Sequence, residues 1–257
     1  MRGDIPQPLL DSDVRLGCAG WTVPRASAGD FEATGSQLER YATRLNAVEI
    51  NSSFHRSHRV ATYERWATSV PEQFRFSVKL PKEISHALRF IDADAPLDRF
   101  LGEVAGLGAK LGPVLVQLPP SFALDVEVAQ RFFGDLRERF EGDVVCEPRH
   151  ETWFSDSAEK VLVKFRVARV AADPARVPAA ATPGGWEGIS YARWHGAPRI
   201  YFSSYPDEEI ARMAALLESA MQRSARTWCI FDNTASGAAA GDALRVKARL
   251  NAAKRVE

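Results

Sequence analysis

The segment Val144-Val145-Cys146-Glu147-Pro148-Arg149-His150-Glu151-Thr152-Trp153 begins as an apolar strand and ends in acid, base, imidazole and indole. Successive side chains of a strand point to opposite faces, so Val145, Glu147 and Arg149 share one side while Val144 and Cys146 share the other. Pro148 has no N–H to give a ladder, so regular pairing should stop there. A carboxylate and a guanidinium on one face at a strand end either close off the strand as a salt bridge or floor a site. Recurrence favours the site. Glu49 and Asn51 share a face at the end of a second apolar run, and Arg193 and His195 at the end of another. Trp21, Lys79, Gln117, Asp173 and Asn233 also stand where short apolar runs stop. So many polar groups in one place are costly to desolvate unless they are paired or used.

The chemistry best matched to these types is anion recognition. Arg149 and Arg193 offer planar forks and Lys79 a point charge, with His86, Asn51, Gln117 and Asn233 as further polar contacts. Glu147, His195 and Glu49 are the candidates for acid–base work. Trp21, Trp153 and Tyr205, with Phe54, would supply flat walls for a sugar or base ring. Residues 234–241, small and hydroxyl-bearing, enter a helix and offer a second place for a phosphate.

Rival chemistries remain open. Glu49, Glu147, Asp173 and His195 are metal-ligand types, as in apurinic-site nuclease barrels. But Lys79, Arg149 and Arg193 compete for the same acids, and no H-x-x-x-H or paired-Cys spacing is present. No metal ligands are therefore assigned and no cofactor is expected, with a divalent metal as the rival. The loop His55-Arg56-Ser57-His58-Arg59, with Arg25, Lys82 and Arg89, could form a basic rim for nucleic-acid phosphodiesters. A Schiff-base role for Lys79 would need a lowered pKa, and three or more nearby acids should work against that. A Ser-His-Asp mechanism has no G-x-S-x-G elbow to support it.

The elements that must position these residues alternate along the chain. Strands are predicted at 14–20, 47–50, 74–79, 114–118, from 144 to the break at Pro148, and at 167–172, 189–194 and 228–231. Helical patterning predicts helices within 31–45, through 62–66, and over 98–110, 126–140, 158–164, 208–221 and 238–253. The Pro- and Gly-rich stretch between strands six and seven should be irregular. Eight strand–helix units in about 250 residues fit one α/β domain over 1–257. They favour a TIM-type (β/α)8 barrel whose site lies at the carboxyl ends of its strands. Gly17-Cys18-Ala19-Gly20-Trp21 has the wrong spacing for a dinucleotide fold.

Lys+Arg and Asp+Glu are both 33, which argues against coating nucleic acid by bulk charge. Three widely spaced cysteines suit reduced thiols in a cytoplasmic protein. Residues 1–13, expected to be poorly ordered, lack the apolar core of a signal peptide, and no run is long enough to cross a bilayer, so no membrane partner is expected. An enzyme of hydrolase, lyase or isomerase type acting on a phosphorylated or sugar-like anion is the leading expectation.

Seven blocks resemble those of the YecE-like family, domain of unknown function 72, in the same order over about residues 14–250. They are Gly20-Trp21, Val48-Glu49-Ile50-Asn51-Ser52-Ser53-Phe54, Phe76-Ser77-Val78-Lys79, Gln117-Leu118-Pro119-Pro120, the 147–153 stretch, Tyr191-Ala192-Arg193-Trp194-His195-Gly196 and Phe231-Asp232-Asn233-Thr234. The resemblance implies a TIM-type barrel and supplies no activity. This chain departs from it at Asp232, where the family more often has a second Asn, and at His55, where Tyr is common.

Overall fold

Short apolar runs buried on both faces build a parallel sheet, because helices cover one side and strand neighbours the other. The computed structural model describes residues 14–224 and 226–253, so the expectation for 1–13 lies outside the described residues. Its strands are β1 (Val14–Cys18), β2 (Ala47–Ile50), β3 (Arg75–Lys79), β4 (Leu111–Gln117), β5 (Val144–Glu147), β6 (Val167–Arg169), β7 (Ala171–Asp173), β8 (Gly184–Gly185), β9 (Ser190–Trp194) and β10 (Thr227–Phe231). They form two sheets, ordered β1-β10-β9-β7 and β2-β3-β4-β5-β6-β8. Every strand pair is parallel except β6 with β8. The fold is mixed α/β with parallel sheets.

The run predicted as strand six is split at Val170 into β6 and β7, which belong to different sheets. The reason lies in the Pro- and Gly-rich connection, which is not wholly irregular. Gly184 and Gly185 pair antiparallel with Arg169 and Ala168, so one edge of β6 is taken and β9 can pair only with β7. Gly185 is needed for this approach: its φ is +66°, and a Cβ there would lie 2.5 Å from the Val167 carbonyl oxygen. At the other junction, a single parallel bridge joins Ala19 to Glu49, and the Gly20 N–H donates to the Glu49 carbonyl at 2.9 Å.

The helices are α1 (Gln37–Ala42), α2 (Val60–Thr68), α3 (Asp94–Val104), α4 (Val126–Arg139), α5 (Asp156–Lys164), α6 (Asp207–Arg223) and α7 (Ala238–Ala253). Their starts are chemically marked. Ser36 and Glu39 form a reciprocal capping box on α1, Asp125 caps α4 and Ser155 caps α5. The first helix falls within 31–45 as expected, and Gly35, at φ +98°, turns the chain just before that box. The third starts at Asp94 rather than Asp98 and gives way after Val104 to a tighter turn, Ala105–Lys110, that contains two glycines.

Strand alternation sorts the side chains into two cores. Leu16, Val48, Phe76, Val78, Val116, Val144, Cys146 and Phe231 pack outward among the helices. Ala47, Leu115, Val145, Ala168, Val170, Tyr191, Trp228 and Ile230 form a second cluster, drawn from both sheets. Glu49, Gln117, Glu147 and Arg193 lie two residues beyond Ala47, Leu115, Val145 and Tyr191, on the same faces. Parity therefore carries the polar residues to one end of that inner cluster. No helix among the described residues is long and apolar enough to cross a membrane.

Candidate functional site

Arg193, near the end of β9, is at the centre of the polar end. Its Nε donates to Glu49 Oε2 at 2.9 Å and Oε1 at 3.2 Å, Nη2 donates to Glu49 Oε1 at 2.7 Å, and Nη2 also pairs electrostatically with Asp232 Oδ2 at 2.9 Å. Nη1 donates to Glu147 Oε2 at 2.9 Å and Gln117 Oε1 at 3.3 Å. Of the five N–H groups of a guanidinium, four have hydrogen-bond acceptors here, and the fifth belongs to the Nη2 that pairs with Asp232. The side chain is fully buried, and the carboxylates, outweighing burial, hold its pKa well above the usual value. Arg193 is thus committed to three acids and an amide, which it holds in place. It stands between Glu49, Glu147 and Asp232, and among the described residues no group of three or more His, Cys, Asp or Glu side chains is arranged to hold a metal ion.

Glu49 is equally committed. Both its oxygens accept from Arg193, the Tyr191 hydroxyl lies 3.0 Å from Oε2, and it is fully buried. It is a positioning residue rather than the acid–base group expected from the sequence. Glu147 accepts at Oε1 from Arg149 Nε (2.9 Å) and faces His195 Nε2 (3.1 Å) across the same oxygen. Burial pushes its carboxyl up, but His195, Arg193 and Arg149 outweigh that and hold it well below the usual range. It stays a carboxylate and is a poor proton acceptor.

His195 lies between two acids, with Nδ1 3.0 Å from Asp232 Oδ2 and Nε2 facing Glu147. Both nitrogens can donate only when the ring is an imidazolium. Burial works against the charge, yet Glu147 and Asp232 raise the pKa above 6.5. His195 is therefore held toward the imidazolium form, with Glu147 and Asp232 as partners for its two nitrogens.

Lys79 ends β3 and contrasts with all of these. It is 6 % exposed, yet among the described residues its ammonium has no hydrogen-bond or ion-pair partner and lies 4.2 Å from the centroid of the Phe54 ring. Burial, reinforced by Arg193, lowers its pKa to about 8 against the opposing pull of Glu49, Asp232 and Glu147. The acids do pull it up, as expected from the sequence, but burial, joined by the charge of Arg193, outweighs them. His86 packs edge-on against the same Phe54 ring at 5.0 Å, and burial, Lys79 and Arg149 together push its pKa down. Phe54 and His86 also line a cleft of about 500 Å³ bordered by Arg56 and Lys82. That cleft is not uniformly basic, because Glu83 and Glu103 line it too, held by Arg99 and Ser57. His58 turns away from the supposed basic rim, toward Ser52, Tyr63 and Trp66.

Other residues named from sequence do not join the cluster. Trp153 is fully buried and its indole N–H donates to the Phe122 carbonyl at 2.9 Å, so it is core and not a ligand wall. The buried Tyr205 donates to Asp173, which also pairs with Arg212, away from the acids it was grouped with. Trp21 packs edge-on against Trp66 at 5.0 Å. Asn233 spends its amide N–H groups on Ser203 and Asp242. Asn51 is half-buried, with a buried Oδ1 that has no partner among the described residues. The helix start at 234–241 borders a separate cavity of about 370 Å³ whose lining carries no charged side chain.

Two residues of the cluster were missed. Asp232 directly follows β10 and had a readable signal, the strand-end position that marked the others. Tyr201 had none: it arrives on the loop after β9, with its hydroxyl 3.4 Å from Arg149 Nη1 and its ring edge-on to His195 at 5.7 Å.

The family model described as protein of unknown function DUF72 matches residues 15–257. The UPF0759 protein YecE of Escherichia coli (strain K12) is 29% identical over 126 residues, 49% of this chain and 46% of that protein. The UPF0759 protein YunF of Bacillus subtilis (strain 168) is 26% identical over 160 residues, covering 59% of this chain and 56% of that protein. The chain thus spans about half the length of the curated relatives it matches. Among solved structures, a DUF72 family protein from Enterococcus faecalis superposes with a TM-score of 0.80 at 22% identity, over 93% of this chain and 95% of that one. One from Thermotoga maritima gives 0.76 at 20% identity, over 93% and 99%. With the family match running over almost the whole chain, this protein belongs to the DUF72 family.

Proposed function

We propose that the two sheets close as one eight-stranded (β/α)8 barrel, and that the charged cluster at its mouth binds and turns over an anionic small molecule, phosphorylated or sugar-like. Closure is supported by the Ala19–Glu49 bridge, by β6 and β7 following one another along a single run, and by an inner core drawn from both sheets. One observation carries the anion reading: Lys79 is buried without a partner because Arg193 has taken the acids. With His195 protonated, Arg193, Arg149, Lys79 and His195 face only Glu49, Glu147 and Asp232, so one positive charge is unmatched. An anion would supply the match. Lys79 and Arg149 would hold it, Glu147 would orient Arg149 and His195, and His195 would donate the proton. The body of the ligand would run past Phe54 and His86 into the adjoining cleft. The acids lining that cleft favour a small molecule over a phosphodiester strand. Three buried free thiols suit a cytoplasmic setting.

The test is thermal melting at low ionic strength with phosphate, sulfate and sugar phosphates. The expected result is a concentration-dependent rise for the wild type that disappears in Arg149→Ala. A wild type that no anion stabilises overturns the reading.

A further inference from the structure

We propose that Lys79 is a nucleophile, whose Nζ condenses with a carbonyl carbon of the bound anionic compound to form an iminium. The inference rests on the anion site above and narrows its substrate to phosphorylated or carboxylated aldehydes and ketones.

Every other charged group of the cluster is paired, whereas among the described residues the Lys79 ammonium has no hydrogen-bond or ion-pair partner and lies over the face of Phe54. A lysine meant to hold the site together would sit on a carboxylate, and three are close enough to act on it electrostatically. Arg193 outcompetes it for all three because a planar fork satisfies several oxygens at once. What is left is an amine at the end of a strand, 4.2 Å from the centroid of the Phe54 ring, and Phe54 and His86 in turn line the cleft of about 500 Å³. Its pKa of about 8 leaves about a tenth of it as free amine at pH 7, a useful concentration of nucleophile.

The carboxylates then favour the product. Glu49, Asp232 and Glu147 attract positive charge at Lys79, but the buried ammonium lacks the hydration it needs. An iminium restores the charge with fewer N–H groups to solvate. In the reaction the ammonium releases one proton to solvent, and the nitrogen lone pair adds to the carbonyl carbon as the C=O π pair moves to oxygen. An N–H proton passes to that oxygen, and the His195 imidazolium gives the second proton that lets it leave as water. The C–O bond breaks as C=N forms; nothing is oxidised or reduced, and His195 ends neutral. Asp232 links the two residues, since it bonds His195 and lies within the electrostatic reach of Lys79. Arg149 and His86 remain to hold the anionic end.

The experiment incubates the full chain with glycolaldehyde phosphate and sodium cyanoborohydride, then maps reduced adducts by peptide mass spectrometry. The expected result is one adduct per chain, on Lys79, at least tenfold above exposed Lys82 and Lys160, with a rate that climbs to a plateau above pH 8. Glycolaldehyde without the phosphate should label Lys79 at least tenfold more slowly. Lys79→Arg keeps the charge and Lys79→Met keeps the packing, and both should lose the adduct. Labelling of Lys79 no faster than of Lys82 overturns the proposal. If inorganic phosphate raises the melting temperature while Lys79 stays unlabelled, the nucleophile falls and the anion site stands. If Lys79 labels but no anion stabilises the protein, the nucleophile stands and the anion site falls.

Discussion

Arg193 and Lys79 are both buried cations within reach of the same three carboxylates, and they are handled in opposite ways. Arg193 hydrogen-bonds Glu49, Glu147 and Gln117, pairs with Asp232 and is held well above its ordinary pKa, whereas Lys79 has no such partner among the described residues and is pulled down to about 8. Burying a charge costs several kcal/mol, and the Arg193 network offsets that cost while the Lys79 site does not. Depth alone therefore does not separate scaffold from function here; saturation does. A charge with every donor satisfied holds the molecule together, and a charge left unsatisfied is held ready for something that arrives from solvent.

Removing each cation should pull the two apart. Arg193→Met strands Glu49, Glu147 and Asp232 together and should cost about 3–5 kcal/mol or more in urea unfolding; a loss under about 1 kcal/mol would remove Arg193 from the centre of the argument. Lys79→Met should move the other way, gaining about 1–3 kcal/mol at pH 7, because a pKa lowered from 10.5 to about 8 is a penalty on the charged folded form. The same variant should lose stabilisation by phosphate, and a Lys79→Met that is less stable than wild type would make Lys79 scaffold after all. Arg149→Ala is intermediate. Glu147 keeps Arg193 and His195, so the stability loss should be about 1–2 kcal/mol, while anion affinity falls by about 1.5–3 kcal/mol.

The smallest effect is in the pH profile. His195 has a folded pKa raised above 6.5, so its stabilisation is complete below about pH 6.5 and is lost as pH rises through the folded value. Lys79 has a folded pKa lowered to about 8, so between there and about 10.5 the unfolded chain holds more protons and stability climbs with pH. Difference profiles of His195→Gln and Lys79→Met against wild type should flatten the falling and rising limbs separately. A single variant that flattened both would mean that the two residues titrate as one unit.

Much of this was legible because strands have a period of two. Glu147, Arg149, Arg193, His195, Glu49, Lys79 and Gln117 could be placed on one face of successive strands from parity alone, and they do meet. Who pairs with whom was not legible. Sequence spacing says that Arg193 and Lys79 face the same acids, but which wins depends on fork geometry and distance, and that decided every role. Aromatic residues were read poorly for a related reason. Trp153 and Tyr205 stand in loops, where exposure is the usual expectation, yet the Trp153 N–H and the Tyr205 hydroxyl each find a buried partner that spacing cannot reveal. Tyr201 reaches the site through a loop turned by a left-handed backbone at φ 70°, a conformation that Tyr gives no hint of adopting.

The bonds from Arg193 cross the seam between the sheets: the arginine stands on β9 in one, and Glu49, Gln117 and Glu147 stand on β2, β4 and β5 in the other. The backbone ties β1 to β2 by only one bridge, and Tyr191 repeats the crossing with its hydroxyl 3.0 Å from Glu49 and from Ser77. The charged cluster is thus a clasp as well as a site. It adds side-chain ties across the seam between the two sheets, so Arg193→Met should speed amide exchange in β1, β2 and β9, which flank the seam.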